Sequence, residues 1–358
     1  MSLITVDKLS QSYAILRNLR LAHGLYVASP SSDYSYVWLR DTFYEVLPYV
    51  NKPCSTYETT YWRILDLFRE YEWKLDIHTL QRPIHQHEYI HARYSATDVK
   101  ELPMEWGHSQ NDAVGAILWG IGEGIKFGKR ILRDDKDREI VQKIVYYLQT
   151  LEYWNDQDSG MWEEYRERRS SSVGACVAGL KNVQGIVDVP QYMIDLGMQA
   201  LYELFPYETT TRKYDLAQLS LVYPYKVFGD EMSAVILKQV ESQLVREMGV
   251  IRYIGDSYYS VLEKMHGRGL SRTFYEGSEA EWCFGFGFLS LGYLQLGNID
   301  KAEYYIRQLE NVMLPDGSIP ELYYSKTSLY NGNTPLGWAQ SMYIIAKEEV
   351  SHHGAVSD

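Results

Sequence analysis

Apolar residues recur at intervals of three and four through most of this chain, and long runs of strict alternation are scarce. Such spacing gives each segment one buried stripe, so it predicts a chain built from packed helices. Twelve segments carry the pattern: 6–23, 41–50, 56–72, 110–127, 136–153, 171–183, 190–205, 216–227, 231–247, 278–296, 300–313 and 335–348. Ser278 and Asp300 suit helix caps, and Pro190 and Pro335 suit first turns. No Pro/Gly/Ser-rich linker divides the series. The expectation is therefore one all-α domain over residues 1–350, with 351–358 as a loose tail.

The connections are of two kinds. Residues 297–299 form a tight turn, whereas 28–40, 76–109, 154–170, 249–277 and 314–334 are long. Long irregular connections are usually functional. A ring of helical hairpins, with tight turns at one end and long loops at the other, would gather all five around one pocket.

Composition narrows the occupants of that pocket. A net charge of −12 argues against nucleic acid and anionic lipid as partners. No window approaches the roughly 20 apolar residues that a bilayer requires. Asp7 and Lys8 stand at the head of the first amphipathic stretch, unlike a signal peptide, and Cys54, Cys176 and Cys283 stand far apart without metal-ligand spacing. A cytoplasmic protein is expected. The 32 tyrosines suit sugar rings and half-wet cores equally, since each joins a flat apolar face to a hydroxyl.

The long loops concentrate Trp, Arg and carboxylates. Loop one ends in Trp38-Leu39-Arg40-Asp41, where Asp41 suits either a helix cap or a ligand contact. Loop two ends in Trp106-Gly107-His108-Ser109-Gln110-Asn111-Asp112, with Trp106 as a stacking platform and His108, Gln110 and Asp112 at a rim. In Met161-Trp162-Glu163-Glu164, the apolar pair should desolvate the neighbouring carboxyl, raise its pKa and keep it a proton donor. Glu321 stands on another loop, between Pro320 and Leu322-Tyr323-Tyr324. Two carboxyls on separate loops are what glycoside hydrolysis needs, one to protonate the leaving oxygen and one to work from the opposite face.

Two motifs are discounted. His87-Glu88-Tyr89-Ile90-His91 matches the H-E-x-x-H zinc signature, but Pro83 and the extended-chain preference of Tyr89-Ile90 argue against the helix that signature requires. The glycines of 120–128 fail G-x-G-x-x-G. No metal and no cofactor is expected.

Taken together and in order, Trp38-Leu39-Arg40-Asp41, the 106–112 motif, Gly160-Met161-Trp162-Glu163 and Pro320-Glu321-Leu322-Tyr323-Tyr324 resemble glycoside hydrolase family 15, the family of glucoamylases and their relatives. The wording is closest to the hydrolase-like domain of the phosphorylase kinase regulatory α and β subunits. Residues 332–341, Gly-Asn-Thr-Pro-Leu-Gly-Trp-Ala-Gln-Ser, add to this likeness, which runs from about residue 36 to about residue 346. The resemblance implies an (α/α)6 barrel of twelve helices and inverting hydrolysis of terminal α-linked glucose. By motif it implies Glu163 as general acid, Glu321 as general base and Glu164 as a neighbouring ligand. Arg40 and Asp41 would hold the terminal glucose, Trp106 would shape its subsite, Trp338 would form a wall and Arg272 would bind sugar. The implied partner is a soluble malto- or isomalto-oligosaccharide. Kinship to regulatory subunits implies an alternative, a non-catalytic glycan-sensing module. Linkage preference and oligomeric state are not set by these residues.

Overall fold

The computed structural model describes residues 7–356. The chain runs α1 (Lys8–Leu19), β1 (Tyr36–Trp38), α2 (Leu39–Val46), α3 (Thr56–Glu70), α4 (Glu72–His78), β2 (Arg93–Ser95), α5 (Asn111–Lys126) and α6 (Asp135–Leu151). It continues with α7 (Ser170–Val183), α8 (Gln191–Leu204), α9 (Leu219–Val222), α10 (Asp230–Leu244), α11 (Glu263–His266) and α12 (Arg272–Tyr275). Then come β3 (Glu281–Trp282), α13 (Phe284–Gln295), α14 (Ile299–Val312), β4 (Leu322–Tyr323) and α15 (Gly337–Val356).

Apolar patterning sorts the helices into two layers. Every residue of α13 from Phe284 to Leu294 is buried, as suits a helix enclosed on all sides. The next helix, α14, buries only the stripe Ala302, Tyr305, Ile306, Leu309 and Val312. The same alternation runs along the whole chain. Six inner helices touch in sequence, α2 to α5, α5 to α7, α7 to α9, α9 to α13 and α13 to α15, and α15 returns to α2. With α1, α3, α6, α8, α10 and α14 outside, the closed ring is an (α/α)6 barrel and a single domain. Small residues allow its tightest contact. A Cβ added at Gly115 of α5 would sit 2.4 Å from the backbone of Ala175 on α7, so only a hydrogen fits there.

Several expected boundaries move. The segment expected to begin at Ser278 becomes helical only at Phe284, because Glu281 and Trp282 pair with Tyr323 and Leu322. The segment 216–227 stops at Val222, since Tyr223 precedes Pro224 and is extended (φ −131°, ψ 131°). Asn298 rather than Asp300 caps α14, accepting from the Lys301 amide. The loose tail is also corrected. Residues 351–356 continue α15, and Ser351–His353 lie exposed at its end, where polar residues suit a helix terminus as well as a loop. Residues 357–358, and the expected helix start at residue 6, fall outside the described residues.

Two short ribbons organise the loop end. β1 pairs antiparallel with β2, setting Trp38 opposite Arg93, and β3 pairs with β4. The first joins loops 28–40 and 76–109. The second joins 249–283 to 314–334.

Candidate active site

At the loop end opens a cavity of about 1080 Å³. Arg40, Asp41, Trp106, Glu163, Glu164, Arg272, Glu321 and Trp338 all line it. His108, Gln110 and Asp112, expected at its rim, are instead buried behind the lining, Gln110 and Asp112 holding Arg40 and His108 stacked on His91.

Glu321 is buried, and three side chains bind it. Tyr34 donates its hydroxyl to Oε1, while Asn331 and Asn333 donate their amides to Oε2, the latter at 2.8 Å. The asparagines arrive because a bridge between Tyr323 and Tyr330 folds the chain back onto Glu321. Burial pushes this carboxyl above the ordinary glutamate value, against the pull of the three donors and of Arg252.

Glu163 lies on the other wall, half-buried, in a turn where its amide donates to the Gly160 carbonyl at 3.1 Å. Its backbone is left-handed (φ 59°), a strained state that is uncommon outside glycine and recurs at functional sites. Its Oε1 accepts from Trp38 Nε1 and Gln110 Nε2, both at 3.1 Å. Oε2 has no protein donor among the described residues.

Arg40 is fastened from behind. Its Nε donates to Asp112 at 2.6 Å, and its Nη2 donates to Gln110, Asp112 and the Gly160 carbonyl, which leaves Nη1 for a ligand. Burial, opposed by Arg40 and reinforced by Glu163 and Glu321, lifts Asp41 to about 7. Glu164 accepts from Tyr253 at 2.6 Å, Arg212 at 2.6 Å and Arg252 at 3.3 Å. Burial alone would raise its pKa, but the two guanidiniums outweigh that and hold it below the ordinary value.

Trp338 forms the floor edge-on, because its faces are taken by Tyr44 at 4.3 Å and Phe284 at 4.5 Å. Its indole N–H has no acceptor among the described residues. Arg272 is exposed at the rim and donates to the Thr211 carbonyl at 3.3 Å. The arginine held deep in the site is Arg252, tied to Asp256 at 2.6 Å, and the sequence did not single it out. An Arg–Asp pair four residues apart in an aromatic loop was its available signal. Tyr34 and Asn331 were also missed as partners of Glu321, because their contacts join residues distant in sequence or across a folded-back loop.

The H-E-x-x-H segment lies apart from this cavity's lining. His87 and Glu88 fall in a single 3-10 turn and Tyr89 is extended, so the two histidines do not share a helix face. His91 stacks instead on His108 at 3.6 Å, and burial drives both imidazoles down, to about 2 and about 3. Among the described residues, no group of three or more His, Cys, Asp or Glu side chains is arranged to hold a metal. Nor is any helix among them long and apolar enough to cross a membrane.

A closed ring of paired helices with two carboxyls facing one pocket is the architecture of a glycosidase fold. The model for Glycosyl hydrolases family 15 matches residues 12–277, and the chain belongs to that family. Among curated proteins it is similar to the probable phosphorylase b kinase regulatory subunit alpha of Caenorhabditis elegans, with 25% identity over 330 residues, covering 78% of this chain and 25% of that protein. It is likewise similar to the skeletal-muscle regulatory subunit alpha of Oryctolagus cuniculus, with 23% identity over 300 residues, covering 72% of this chain and 24% of that one. The chain thus spans about a quarter of the length of these relatives. A wild-type glycosidase structure superposes with a TM-score of 0.79 at 18% identity, covering 96% of each chain. A glucoamylase from Saccharomycopsis fibuligera gives 0.70 at 15% identity, covering 99% of this chain and 98% of its own. At these identities the likeness speaks to the fold.

Proposed function

We propose that this chain is an inverting, exo-acting α-glucosidase of glucoamylase type, cleaving terminal glucose from soluble malto- or isomalto-oligosaccharides. The observation that carries the proposal is the pairing of Glu163 and Glu321 on one cavity, each in the environment its role requires. Glu163 Oε2 protonates the leaving oxygen, and Glu321 takes a proton from the water that attacks the anomeric carbon from the other side. Arg40 Nη1 and Asp41 supply a donor and an acceptor to the terminal glucose, and Glu164 lies beside them, fixed by Arg212 and Arg252. Trp106 walls the same subsite.

Release of glucose from maltose, isomaltose and longer homologues, followed by NMR, tests the proposal. β-Glucose should appear first. Initial α-glucose would exclude inversion.

The second reading is a glycan-sensing module without turnover, favoured by the regulatory subunits among the curated relatives. It predicts saturable oligosaccharide binding and no glucose release over days.

A further inference from the structure

Six arginines line the cavity. Arg40, Arg212 and Arg252 each have a carboxylate partner inside the protein, in Asp112, Asp215 and Asp256 respectively. Arg268 pairs with Glu263, and Arg272 is exposed to water. Arg93 differs from all of these.

Arg93 is only 5% exposed, and no carboxylate lies within ion-pair distance of it among the described residues. Its guanidinium lies 3.4 Å from the centre of the Trp106 ring and 4.7 Å from that of Tyr36. Aromatic faces stabilise a cation above and below its plane, but they leave the N–H edge unsatisfied. Here Nε is sealed off without an acceptor, and the terminal amino groups have none among the described residues, leaving only the cavity that Arg93 lines. Burial without a counter-charge pulls its basicity below the ordinary arginine value, partly offset by the charge of Glu163. A guanidinium without a partner among the described residues can be satisfied only from the cavity, and the groups that best fit its planar fork are carboxylate and phosphate.

Its position says where such a group would sit. Register sets Arg93 opposite Trp38, the residue that donates to Glu163. Arg93 therefore flanks the acid, the carboxyl that must reach the leaving oxygen, while Arg252 is the arginine that bears on Glu321.

We infer that Arg93 is the anion-recognising residue of the leaving-group subsite, and that the preferred substrate is an α-glucoside whose leaving unit carries a carboxylate or a phosphate. The inference rests on Glu163 being the acid.

The test uses the full chain and hydrolysis-resistant, sulfur-linked disaccharides, so binding is read independently of turnover. Calorimetry compares S-linked maltose and isomaltose with their aldonic acids, and with S-linked maltose phosphorylated on its reducing glucose. At least one anionic form should bind about tenfold or more tighter than its neutral parent, as expected for a hydrogen-bonded ion pair in a sheltered site. The better arm identifies the oxyanion. The advantage should shrink to within about twofold in Arg93→Gln and return in part in Arg93→Lys. Equal or weaker binding of both anionic forms to the wild-type chain, or no binding of any form, overturns the inference. A preference that survives in Arg93→Gln also overturns it. Glucose release from ordinary maltose and isomaltose is measured in parallel. Anion preference without release overturns the hydrolase and with it the leaving-group assignment, leaving Arg93 only as an anion-binding residue, whereas release without preference overturns the subsite alone.

Discussion

The two walls of the cavity hold their carboxyls in opposite ways. Glu321 is sealed, and both its oxygens are bound by donors from Tyr34, Asn331 and Asn333. Glu163 is half-open on a strained turn, with two donors crowded onto one oxygen and the other left bare. A base that must stay charged in a dry place needs donors on both oxygens. An acid that must hand over its proton needs one oxygen unencumbered. The difference supports the proposed roles more sharply than the presence of two glutamates does.

The strongest way to break that contrast is to neutralise each wall. Glu163→Gln and Glu321→Gln should each lower kcat by about 10²- to 10⁴-fold on oligosaccharides. α-Glucosyl fluoride, whose leaving group needs little protonation, should restore Glu163→Gln and not Glu321→Gln. Rescue of both, or of the second alone, would reverse or abolish the assignment. Next in size, Tyr34→Phe removes one charge-assisted donor from the base and should lower kcat about tenfold or more. An unchanged kcat would mean that the hydroxyl does not support the base.

The pH profile should show the same contrast. Glu321 must be ionised to act, and burial raises its pKa, so kcat/KM should fall as pH drops through a value above the ordinary 4.5. Because the Tyr34 hydrogen bond lowers that pKa, Tyr34→Phe should move the acidic limb to higher pH. A limb at or below 4.5 would contradict the burial of the base. The smallest effect concerns strain. Glu163→Gly relieves the left-handed backbone and should be more stable than Glu163→Gln by about 1 kcal/mol, read as a higher Tm. Glu321 is not among the residues with positive φ, so Glu321→Gly should show no such gain.

The ring was legible because each helix carries its own apolar spacing, a local property, and the twelve expected segments correspond to the helices that build the two layers. Where expectation and structure part, a partner outside the segment intervened. Ser278 reads as a cap, yet the residues after it pair with β4. The chain around Tyr223 reads as helix until Pro224 forces it to extend. Seven of the eight expected residues that line the cavity were legible because they sit in compact motifs, whereas Arg272 sits in none and lies exposed at the rim. Tyr34 and Glu321 are 287 positions apart, and no local pattern links them. Trp338 was expected as a wall, but periodicity cannot show that Tyr44 and Phe284 cover both its faces.

Ring closure, α2 against α15, also orders events during synthesis. The segment that supplies Tyr34, Arg40 and Asp41 is made early and faces an incomplete cylinder until the last inner helix arrives. A nascent chain halted before residue 321 carries the Glu163 turn but lacks Glu321. On the proposed roles, hydrolysis could not begin on such a partial product: the pocket gains Glu321 and the helix that closes its floor only when residues 321–356 are added.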